Sequence, residues 1–508
     1  MYKVNEFEFG VGSNAKSSLF PFSVQSNIHY RVDSLDDLTA NGYKVLLDIL
    51  RHFQEYQIPR LSVLDDYSKG RNTAIFGGDR RKDDSKADYR IAHNFGKLIA
   101  QFVAGYTTSV PLKYSLPEDK KLEKELLTFN KANDIPTLDN ELMYDVAKYG
   151  RAYDIQYKTK TGNKIKQANV FETFVIYDTT IERKPIAAVR IVESGFSGLS
   201  ETKYLVSLYT ASEITHFKEL SFGMSSLDVD REEKHFFSGV PIVEYQSNRY
   251  RTSWYEDVLP LIDAYDQSAS DTSNYMTDVI NSLLVISGDF STAGNNVSDL
   301  IKQIRRYGVL GLQSGFDRNG NSTSISADYI SPEFDSTASE SYKERIRKDI
   351  FNISNIPDMS DQNFSGNASG IAIRYKIFGF EQAIAQTMNA FKRSLADRCE
   401  LLFKHENNLN NTKRDLPNVT IKETPNLPYS VSEELKMLTD AGVPISRKTM
   451  YDQVHFIDAE TEEKNLEEES ELELSKVVND SFSGKVGVIT PDQQKEPSDN
   501  TKDGDLDG

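Results

Sequence analysis

Four aspartates at helical spacing are the side chains in this sequence best suited to chemistry. Asp263, Asp266, Asp271 and Asp278 lie along a predicted helix over residues 254–285. Carboxylates grouped in this way bind divalent metal ions in nucleases and polymerases. The same pattern is typical of an acidic stripe that faces solvent or lines a lumen. The sequence leaves both interpretations open and favours the stripe.

The other residue types that catalyse reactions or bind metals follow no recognised pattern. Gly96-Lys97 is followed by Leu98, so it forms no P-loop, and neither H-E-x-x-H nor G-x-S-x-G occurs. Cys399 lies within a predicted helix, which favours a packed thiol over a nucleophile. The histidines are scattered without metal-ligand spacing, at His29, His52, His93, His216, His235, His405 and His455. We therefore predict a protein that is not an enzyme and binds no metal or cofactor.

The overall charge limits the classes of partner. The net charge is −18, from 59 basic and 77 acidic residues. A protein that grips nucleic acid by neutralising phosphates needs a basic face, so the composition argues against that class. It is compatible with a protein that lets nucleic acid pass without holding it.

Two further features of the composition concern the cellular compartment. A single cysteine excludes an intramolecular disulfide and is typical of synthesis in a reducing cytoplasm. No apolar run approaches the ~20 residues of a membrane span, and the first residues lack the apolar core of a signal peptide. We therefore expect no membrane partner.

The periodicity of apolar residues predicts an α+β fold. Helices are predicted over residues 36–54, 88–105, 137–150, 254–285, 337–354 and 369–404. Strand-like segments separated by turn residues lie between residues 152 and 210. Nine acids and one lysine occupy residues 458–473, a composition typical of a solvated segment or a surface helix. Residues 480–508 have the composition of a disordered tail.

The middle of the chain has a helix–insert–helix organisation. The insert, residues 288–336, contains Asn319-Gly320, a strong hairpin signal. Thr337-x-x-Glu340 matches a capping box and predicts the start of the second helix. Because the two helices flank the insert, we expect its two ends to lie side by side and the insert to project from one end of the pair.

Two small basic groups lie in this region. Lys302, Arg305 and Arg306 belong to the insert, and Arg345, Arg347 and Lys348 belong to the second helix. The first group is either a solvated face or a contact with DNA or a partner ring. The second either faces a lumen or forms ordinary salt bridges along its helix. The sequence decides neither case.

Several segments, in their order along the chain, resemble portal proteins of tailed bacteriophages, especially the branch typical of long-tailed phages of Gram-positive hosts. They are "YSKG" (67–70), "ADYRIAHNFGKLIAQFVAGYTTSVPLKY" (87–114), "NELMYDVAKYGRAYDIQY" (140–157), "GVPIVEYQSN" (239–248), "LIDAYDQSASDTSNYMTDVINSLLVISG" (261–288) and "NIPDMSDQNFSGNASGIAIRYKIFGFEQAIAQ" (355–386). None is a catalytic signature. The resemblance rests on their order and spans most of residues 65–405.

The resemblance implies a ring, typically of twelve subunits, at one vertex of the capsid. Double-stranded viral DNA would pass through its channel during packaging and ejection, driven in by a separate terminase whose large subunit docks on the ring. Later a head-to-tail connector, or adaptor, would take that place. The ring would also help nucleate the procapsid with the major capsid and scaffolding proteins. The expected location is the virion, after assembly in the cytoplasm of the host bacterium.

The resemblance also implies a portal-type fold with an α/β wing, a two-helix stem, a small α/β clip, a long kinked helix and a helical crown. The expected boundaries are an irregular N-terminal segment (1–35), wing (36–253), first stem helix (254–287), clip (288–336), second stem helix (337–354), tunnel loop (355–370), long wing helix (371–404), crown (405–479) and disordered tail (480–508).

The glycine-rich segment before the long helix is expected to line the narrowest part of the channel. The implied tunnel-loop residues are Met359, Ser360, Asp361, Gln362, Asn363, Phe364, Ser365, Gly366, Asn367 and Ala368. The implied docking residues of the clip are Lys302, Arg305, Arg306, Asp317, Arg318, Asn319 and Gly320. The lumen candidates are Arg345, Arg347 and Lys348. A plain interhelical turn remains the alternative for the loop.

Two other functions stay open at this point. One is a metal-dependent nuclease that uses the helical aspartates, which would need a divalent-ion site and a basic cleft. The other is a self-assembling connector or scaffold protein without a DNA channel.

Overall fold

A computed structural model of the chain describes residues 22–77, 87–160, 162–195, 203–220, 226–280, 283–287, 326–330, 335–358, 370–409, 418–426, 462 and 464–470. The chain divides into two compact units, residues 1–427 and 428–508. In the second unit, residues 464–470 are helical and mostly exposed, which confirms a surface helix in that part of the acidic run. None of the described helices has the length and hydropathy needed to cross a bilayer.

The first unit combines helices and strands, as predicted. Its helices are α1 (Leu35–His52), α2 (Ile58–Ser68), α3 (Thr73–Phe76), α4 (Phe95–Thr107), α5 (Lys120–Ala132), α6 (Ile135–Tyr149), α7 (Leu259–Ile280), α8 (Ser336–Ile353) and α9 (Gly370–Leu409). Its strands are β1 (Tyr30–Arg31), β2 (Lys113–Ser115), β3 (Arg151–Thr159), β4 (Gly162–Ala168), β5 (Thr173–Tyr177), β6 (Pro185–Glu193), β7 (Tyr204–Tyr209), β8 (Glu213–Phe217), β9 (Val229–Lys234), β10 (Ile242–Gln246), β11 (Leu283–Ser287), β12 (Ser326–Ile330) and β13 (Thr420–Lys422).

A six-stranded sheet and α1 share one hydrophobic core. The strand order is β1-β5-β6-β7-β8-β9, and every pair is antiparallel except the short β1–β5 pair. Leu46, Leu50 and Phe53 pack with Phe174 and Ile176 in this core. Burying each such side chain stabilises the fold by roughly 1.5–3 kcal/mol.

Helix α1 contains a break that the sequence prediction missed. The prediction was one uninterrupted helix over residues 36–54, but Asn41, Gly42 and Tyr43 have φ values of 52°, 68° and 60°. This left-handed conformation suits asparagine and glycine, whose side chains add little steric cost there. Tyr43 is held in it by an edge-on ring contact with Phe217, with centroids 4.8 Å apart.

A second core joins the three-stranded sheet β10-β3-β4 to α2, α4, α6 and α9. Helix α9 confirms the long helix predicted from residue 369 and continues without a break through Gly379. Its predicted apolar positions are buried at Ile377, Phe380, Ile384, Met388, Phe391 and Leu395. The long helix is therefore held against the body along most of one face.

Helix α6 ends where the sequence predicted. Gly150 follows it with a φ of 79°, and a Cβ on Gly150 would lie 2.0 Å from the Arg251 carbonyl oxygen. Only glycine fits both the conformation and the close approach.

Helices α7 and α8 pack side by side, and β11 and β12 extend from them. The hydroxyls of Thr272 and Ser339 lie 3.1 Å apart across the helix pair. Strand β11 pairs antiparallel with β12, from Leu283 opposite Ile330 to Ser287 opposite Ser326. This confirms that the two ends of the insert lie side by side. Residues 288–325, including the predicted hairpin, lie outside the described residues.

Three predicted helix boundaries are wrong. The helix predicted over residues 254–285 is α7, which stops before β11 begins at Leu283. Helix α8 confirms the second helix, but its N-cap is Asp335, whose side chain accepts from the Ala338 N–H at 2.9 Å. Thr337 therefore lies inside the helix and forms no capping box. Helix α4 begins at Phe95 rather than at residue 88, because the preceding residues bond to α7, as described below.

Candidate functional site

Most residues predicted to line a channel or dock a partner lie outside the described residues. This applies to the tunnel-loop residues 359–368 and to the insert residues Lys302, Arg305, Arg306, Asp317, Arg318, Asn319 and Gly320. The described parts of the predicted site are the helix pair α7 and α8, the strands β11 and β12, and α9.

The three basic residues predicted to face a lumen form salt bridges along α8. Arg345 lies 3.5 Å from Asp349, and Lys348 lies 3.5 Å from Glu344. Arg347 contacts Glu344 at 3.4 Å and also bonds to Asp358, which follows the helix. Arg345 and Lys348 remain largely exposed, so these pairs contribute little to stability.

The salt-bridge alternative is thus observed for all three side chains. A lumen-facing role for them stays a prediction.

The four aspartates of α7 do not converge on a metal site. Asp263 accepts a hydrogen bond from the Tyr67 hydroxyl, and burial raises the pKa of its carboxyl. Asp266 is fully buried, whereas Asp271 is exposed and Asp278 is half-buried. No group of three or more histidine, cysteine, aspartate or glutamate side chains in the described part of the chain could hold a metal ion. The described geometry gives no support to the nuclease alternative.

Asp266 is a structural hub that accepts hydrogen bonds from other segments of the chain, rather than a metal ligand. The Asn72 side-chain amide donates to its Oδ2 at 2.8 Å. The His93 backbone N–H donates to its Oδ1 at 2.9 Å, and Nδ1 of the same histidine lies 2.8 Å from that oxygen. Both carboxylate oxygens are therefore already engaged, which corrects the interpretation of this residue as part of a solvated or lumen-facing stripe.

Two more α7 side chains continue the contact with the segment before α4. The Ile91 N–H donates to Ser270 Oγ at 2.9 Å, and the Tyr89 N–H donates to Asn274 Oδ1 at 2.7 Å. Ser270 and Asn274 also donate to the carbonyls of these two residues, at 3.3 Å each. Together with His93 on Asp266, alternate residues of this segment bond to every fourth residue of the helix. We call this set of contacts the polar ladder.

The spacing of the polar ladder has a simple geometric basis. Four helical residues rise about 6.0 Å, and two residues of an extended chain span about 6.6 Å. Side chains at Asp266, Ser270 and Asn274 can therefore follow an extended segment for three steps, as a neighbouring strand would. The polar ladder gives Asp266, Ser270 and Asn274 of the "LIDAYDQSASDTSNY" segment a structural role.

A buried charge cluster fixes the turn that leads into α7. The Arg60 guanidinium pairs with Glu256 and donates to the carbonyls of Tyr149 at 3.3 Å and Arg251 at 3.0 Å. Arg251 in turn donates to Glu244 at 2.9 Å. Burial alone would raise the pKa of Glu244, but the Arg251 guanidinium holds it at about 2. The carboxylate is therefore ionised at neutral pH, and this ion pair locks the start of the helix to β10.

A second buried cluster fixes α9 to the body. Arg398 donates to Asp139 at 2.6 Å and to the Tyr114 hydroxyl at 2.7 Å, and it lies 3.7 Å from Asp154. Burial raises the pKa of Asp154 to about 6, although Arg398 opposes the rise. The neighbouring Cys399 is buried, and burial raises the pKa of its thiol to about 12. This agrees with the packed thiol predicted from the sequence.

Sequence reasoning missed both buried clusters. The side-chain partners of Arg60, Arg251 and Arg398 lie 7 to 284 positions away, so no local pattern could have identified them.

The described site is thus a pair of packed helices, fixed by buried ion pairs and by the polar ladder, that ends in two paired strands. These contacts make the helix pair a rigid support.

Comparison with known proteins finds a phage portal protein and two neck structures that are similar to this chain. The "Portal protein" of Clostridium phage phiCD119 (strain Clostridium difficile/United States/Govind/2006) is 26% identical over 305 residues, covering 57% of this chain. The chain spans 65% of that relative's length, slightly under two thirds. Among solved structures, it is similar to "Neck of native GTA particle computed with C12 symmetry", at 11% identity and a TM-score of 0.42, with 85% of this chain and 98% of that chain covered. It is also similar to "Neck of empty GTA particle computed with C6 symmetry", at 13% identity and a TM-score of 0.40, with 75% and 96% covered.

The profile of one protein family, described as "Phage portal protein, SPP1 Gp6-like", matches residues 47–475, most of the chain. The chain belongs to this family of phage portal proteins.

Proposed function

We propose that this chain forms a ring-shaped channel at one vertex of a phage capsid, through which viral DNA is packaged and later ejected. The observation that carries the proposal is membership of the portal family over residues 47–475. The packed helices α7 and α8 and the paired strands β11 and β12 support it, because they would hold an insert at one end of a rigid pair. Such a unit suits a ring built by repeating one heterologous contact until it closes.

In this proposal the body up to residue 253 is the wing, α7 and α8 form the stem, and residues 288–336 form the clip. Residues 355–370 form the tunnel loop, residues 371–404 of α9 form the long wing helix, and residues 405–479 form the crown. The ring contains twelve subunits. The clip docks the terminase large subunit during packaging and a connector afterwards, and the ring takes part in procapsid assembly with the capsid and scaffolding proteins. The protein acts as a virion component and supplies a channel and docking surfaces rather than catalysis.

The proposed tunnel loop needs small side chains and a backbone that changes conformation at little cost. Residues Ser365 to Gly370 have this composition, and two of them are glycine. A loop of this kind contacts moving DNA without holding it, since it presents no cluster of cations to the phosphates.

The proposed function is tested by genetic complementation. A phage that lacks its own copy of this gene should form DNA-filled heads only when the chain is supplied. Filled heads in its absence would overturn the proposed function.

The tunnel-loop assignment has its own test. Gly366→Pro combined with Gly370→Pro should leave ring formation unchanged but impair packaging, whereas Gly366→Ala with Gly370→Ala should impair it less. Normal packaging by the proline variant would contradict the loop assignment and leave the portal function standing.

The clip assignment is tested by replacing residues 316–322 with a neutral linker. Rings should form normally, while binding of purified terminase or connector should weaken. Loss of ring formation instead would show that this segment belongs to the subunit interface and not to a docking surface.

A further inference from the structure

The β3–β4 hairpin has an unusual charge for this chain. Four lysines lie between Asp154 and Glu172, at Lys158, Lys160, Lys164 and Lys166, and no carboxylate occurs among residues 155–171. The whole chain, by contrast, has a net charge of −18. The hairpin is therefore positively charged in a protein whose net charge is negative.

The outer half of this hairpin extends beyond its sheet. Strand β10 pairs with β3 only from Arg151 to Ile155. Beyond Gln156, β3 pairs with β4 alone, from Tyr157 opposite Lys164 to Thr159 opposite Gly162. This outer half, residues 157–164, is a two-stranded ribbon, and Lys166 follows where β4 enters the three-stranded part. We call residues 157–166 the lysine ribbon.

The lysine ribbon is supported at its base by the end of α5. Lys164 Nζ donates to the Ala132 carbonyl at 3.1 Å, and the Ile165 N–H donates to the Asn133 side chain at 3.3 Å. The ribbon therefore holds its lysines in a defined arrangement and is not a free loop.

The four lysines have no carboxylate partner among the described residues, and Lys158, Lys160 and Lys166 are exposed. Many exposed lysines elsewhere do have such a partner. Examples are Lys69 with Asp65, Lys120 with Glu123, Lys184 with Glu182 and Lys203 with Glu219, all within 3.0 Å. The one carboxylate that the described contacts bring to the ribbon, Glu406, accepts from the Asn163 amide rather than from a lysine. The charge of the ribbon thus remains available to an external anion.

We propose that the lysine ribbon is a docking surface for the phosphate backbone of duplex DNA, which it binds without reading sequence. Lysine binds phosphate as a point charge, without the bidentate geometry that arginine imposes. Lys164 and Lys166 are alternate residues of β4 and stand about 6.6 Å apart on one face of the ribbon. Lys158, which pairs opposite Asn163, lies on the other face, and Lys160 follows in the turn, so the ribbon presents cations to a polyanion from both faces. A two-stranded ribbon also fits the major groove, which is about 12 Å wide.

Duplex DNA fits the ribbon better than an acidic protein does. Protein interfaces place apolar side chains at their centre and charged ones at the rim. The ribbon offers no such centre among its described residues, since Tyr157 is its one large apolar side chain with substantial exposure, at 37%. The remaining exposed groups are lysines, glycine and small polar side chains. The surface uses none of the residues proposed for the tunnel loop or the clip, so it goes beyond the proposed function.

The test uses the full chain in its assembled form and a fluorescently labelled duplex of about 20 base pairs, with binding followed by anisotropy across a series of NaCl concentrations. The variant Lys158→Gln/Lys160→Gln/Lys166→Gln removes three exposed charges and keeps Lys164, which bonds to α5. The matched control, Lys184→Gln/Lys203→Gln/Lys218→Gln, removes the same charge near the six-stranded sheet.

We expect the ribbon variant to bind the duplex at least about tenfold more weakly at low salt, with a salt slope shallower by about 2.7, or about 0.9 for each lost phosphate contact. The control should keep most of the affinity and the slope. Equal losses in both variants, or no binding by the unmodified protein, would overturn the proposal.

Poly-glutamate provides the remaining comparison. If it binds the unmodified ribbon as tightly as the duplex does and displaces it, the surface recognises acidic protein and the DNA assignment is wrong. Ring assembly of both variants is measured separately, so failure of this proposal is distinguishable from failure of the portal function.

Discussion

Helix α7 and the lysine ribbon both carry closely spaced charges. Charged side chains of α7 form hydrogen bonds inside the protein, whereas those of the lysine ribbon are mostly exposed to solvent. Asp263 and Asp266 point into the molecule, where their oxygens accept hydrogen bonds from Tyr67, Asn72 and His93. Lys158, Lys160 and Lys166 of the ribbon are exposed and have no carboxylate partner among the described residues. The difference teaches that charge spacing alone does not identify a functional site, because the fold decides which charges remain available to a partner.

The strongest test of this contrast is the hub of the polar ladder. Asp266→Ala would leave the Asn72 amide and the His93 N–H buried without an acceptor, so we expect the free energy of unfolding to fall by about 3 kcal/mol. Urea unfolding followed by circular dichroism measures the change. Asp271→Ala on the same helix is the control and should change stability by less than about 0.5 kcal/mol. Equal effects of the two substitutions would mean that Asp266 is no hub.

The inner end of β3 offers a second test, through pH. Because burial raises the pKa of Asp154 from its ordinary value of 3.8 to about 6, the folded protein binds this proton more tightly than the unfolded chain does. The stabilising contribution of the protonated carboxyl is complete below about pH 4 and is lost as the pH rises to about 6. The Asp154→Asn variant has no carboxyl at this position that could ionise. Its free energy of unfolding relative to that of the unmodified protein should therefore rise by about 2 kcal/mol between pH 4 and pH 7.

The same denaturation series at several pH values measures this difference. Lys158→Gln on the outer part of the same strand should show no comparable pH dependence in this range. A flat difference for Asp154→Asn would contradict the assigned pKa.

Single steps of the polar ladder give a smaller effect. Asn274→Ala removes the acceptor of the Tyr89 N–H, and we expect a loss of about 1 kcal/mol of stability. Hydrogen exchange should speed up at the Tyr89 amide and less at the Ile91 amide, which Ser270 still holds. Ser273→Ala, one residue away on the helix, serves as the control. Unchanged exchange at Tyr89 in the Asn274 variant would rule out this step of the ladder.

The smallest effect on stability is expected at the lysine ribbon. Because Lys158, Lys160 and Lys166 are exposed and form no ion pair with described residues, their replacement by glutamine should change the free energy of unfolding by less than about 0.5 kcal/mol. A loss as large as that of Asp266→Ala would show that the lysines hold the fold together and would remove the contrast between the two regions.

The sequence predicted elements better than it predicted contacts. The buried face of α9 was predicted because its apolar residues recur at helical spacing over many turns, which local sequence determines. The direction of Asp266 could not be predicted, because it depends on Asn72 and His93, which lie almost 200 residues earlier in the chain. The start of α4 was wrong for the same reason, since contacts with α7 hold the preceding residues out of the helix.

The lysine ribbon was not predicted from the sequence for a different reason. Its signal is present in the sequence as a carboxylate-free stretch with four lysines, but charge summed over the whole chain conceals it. Pairing of β3 with β4 then places Lys158 on one face of a single narrow ribbon and Lys164 and Lys166 on the other, which the separate segments did not indicate.

The most direct test of the central claim is the subunit number of the purified chain, measured by native mass spectrometry together with rotational analysis of negatively stained particles. We expect closed rings with one central opening and twelve subunits, although isolated rings of a neighbouring subunit number would also agree with a channel. A monomer or dimer under all assembly conditions, with no ring, would contradict the account.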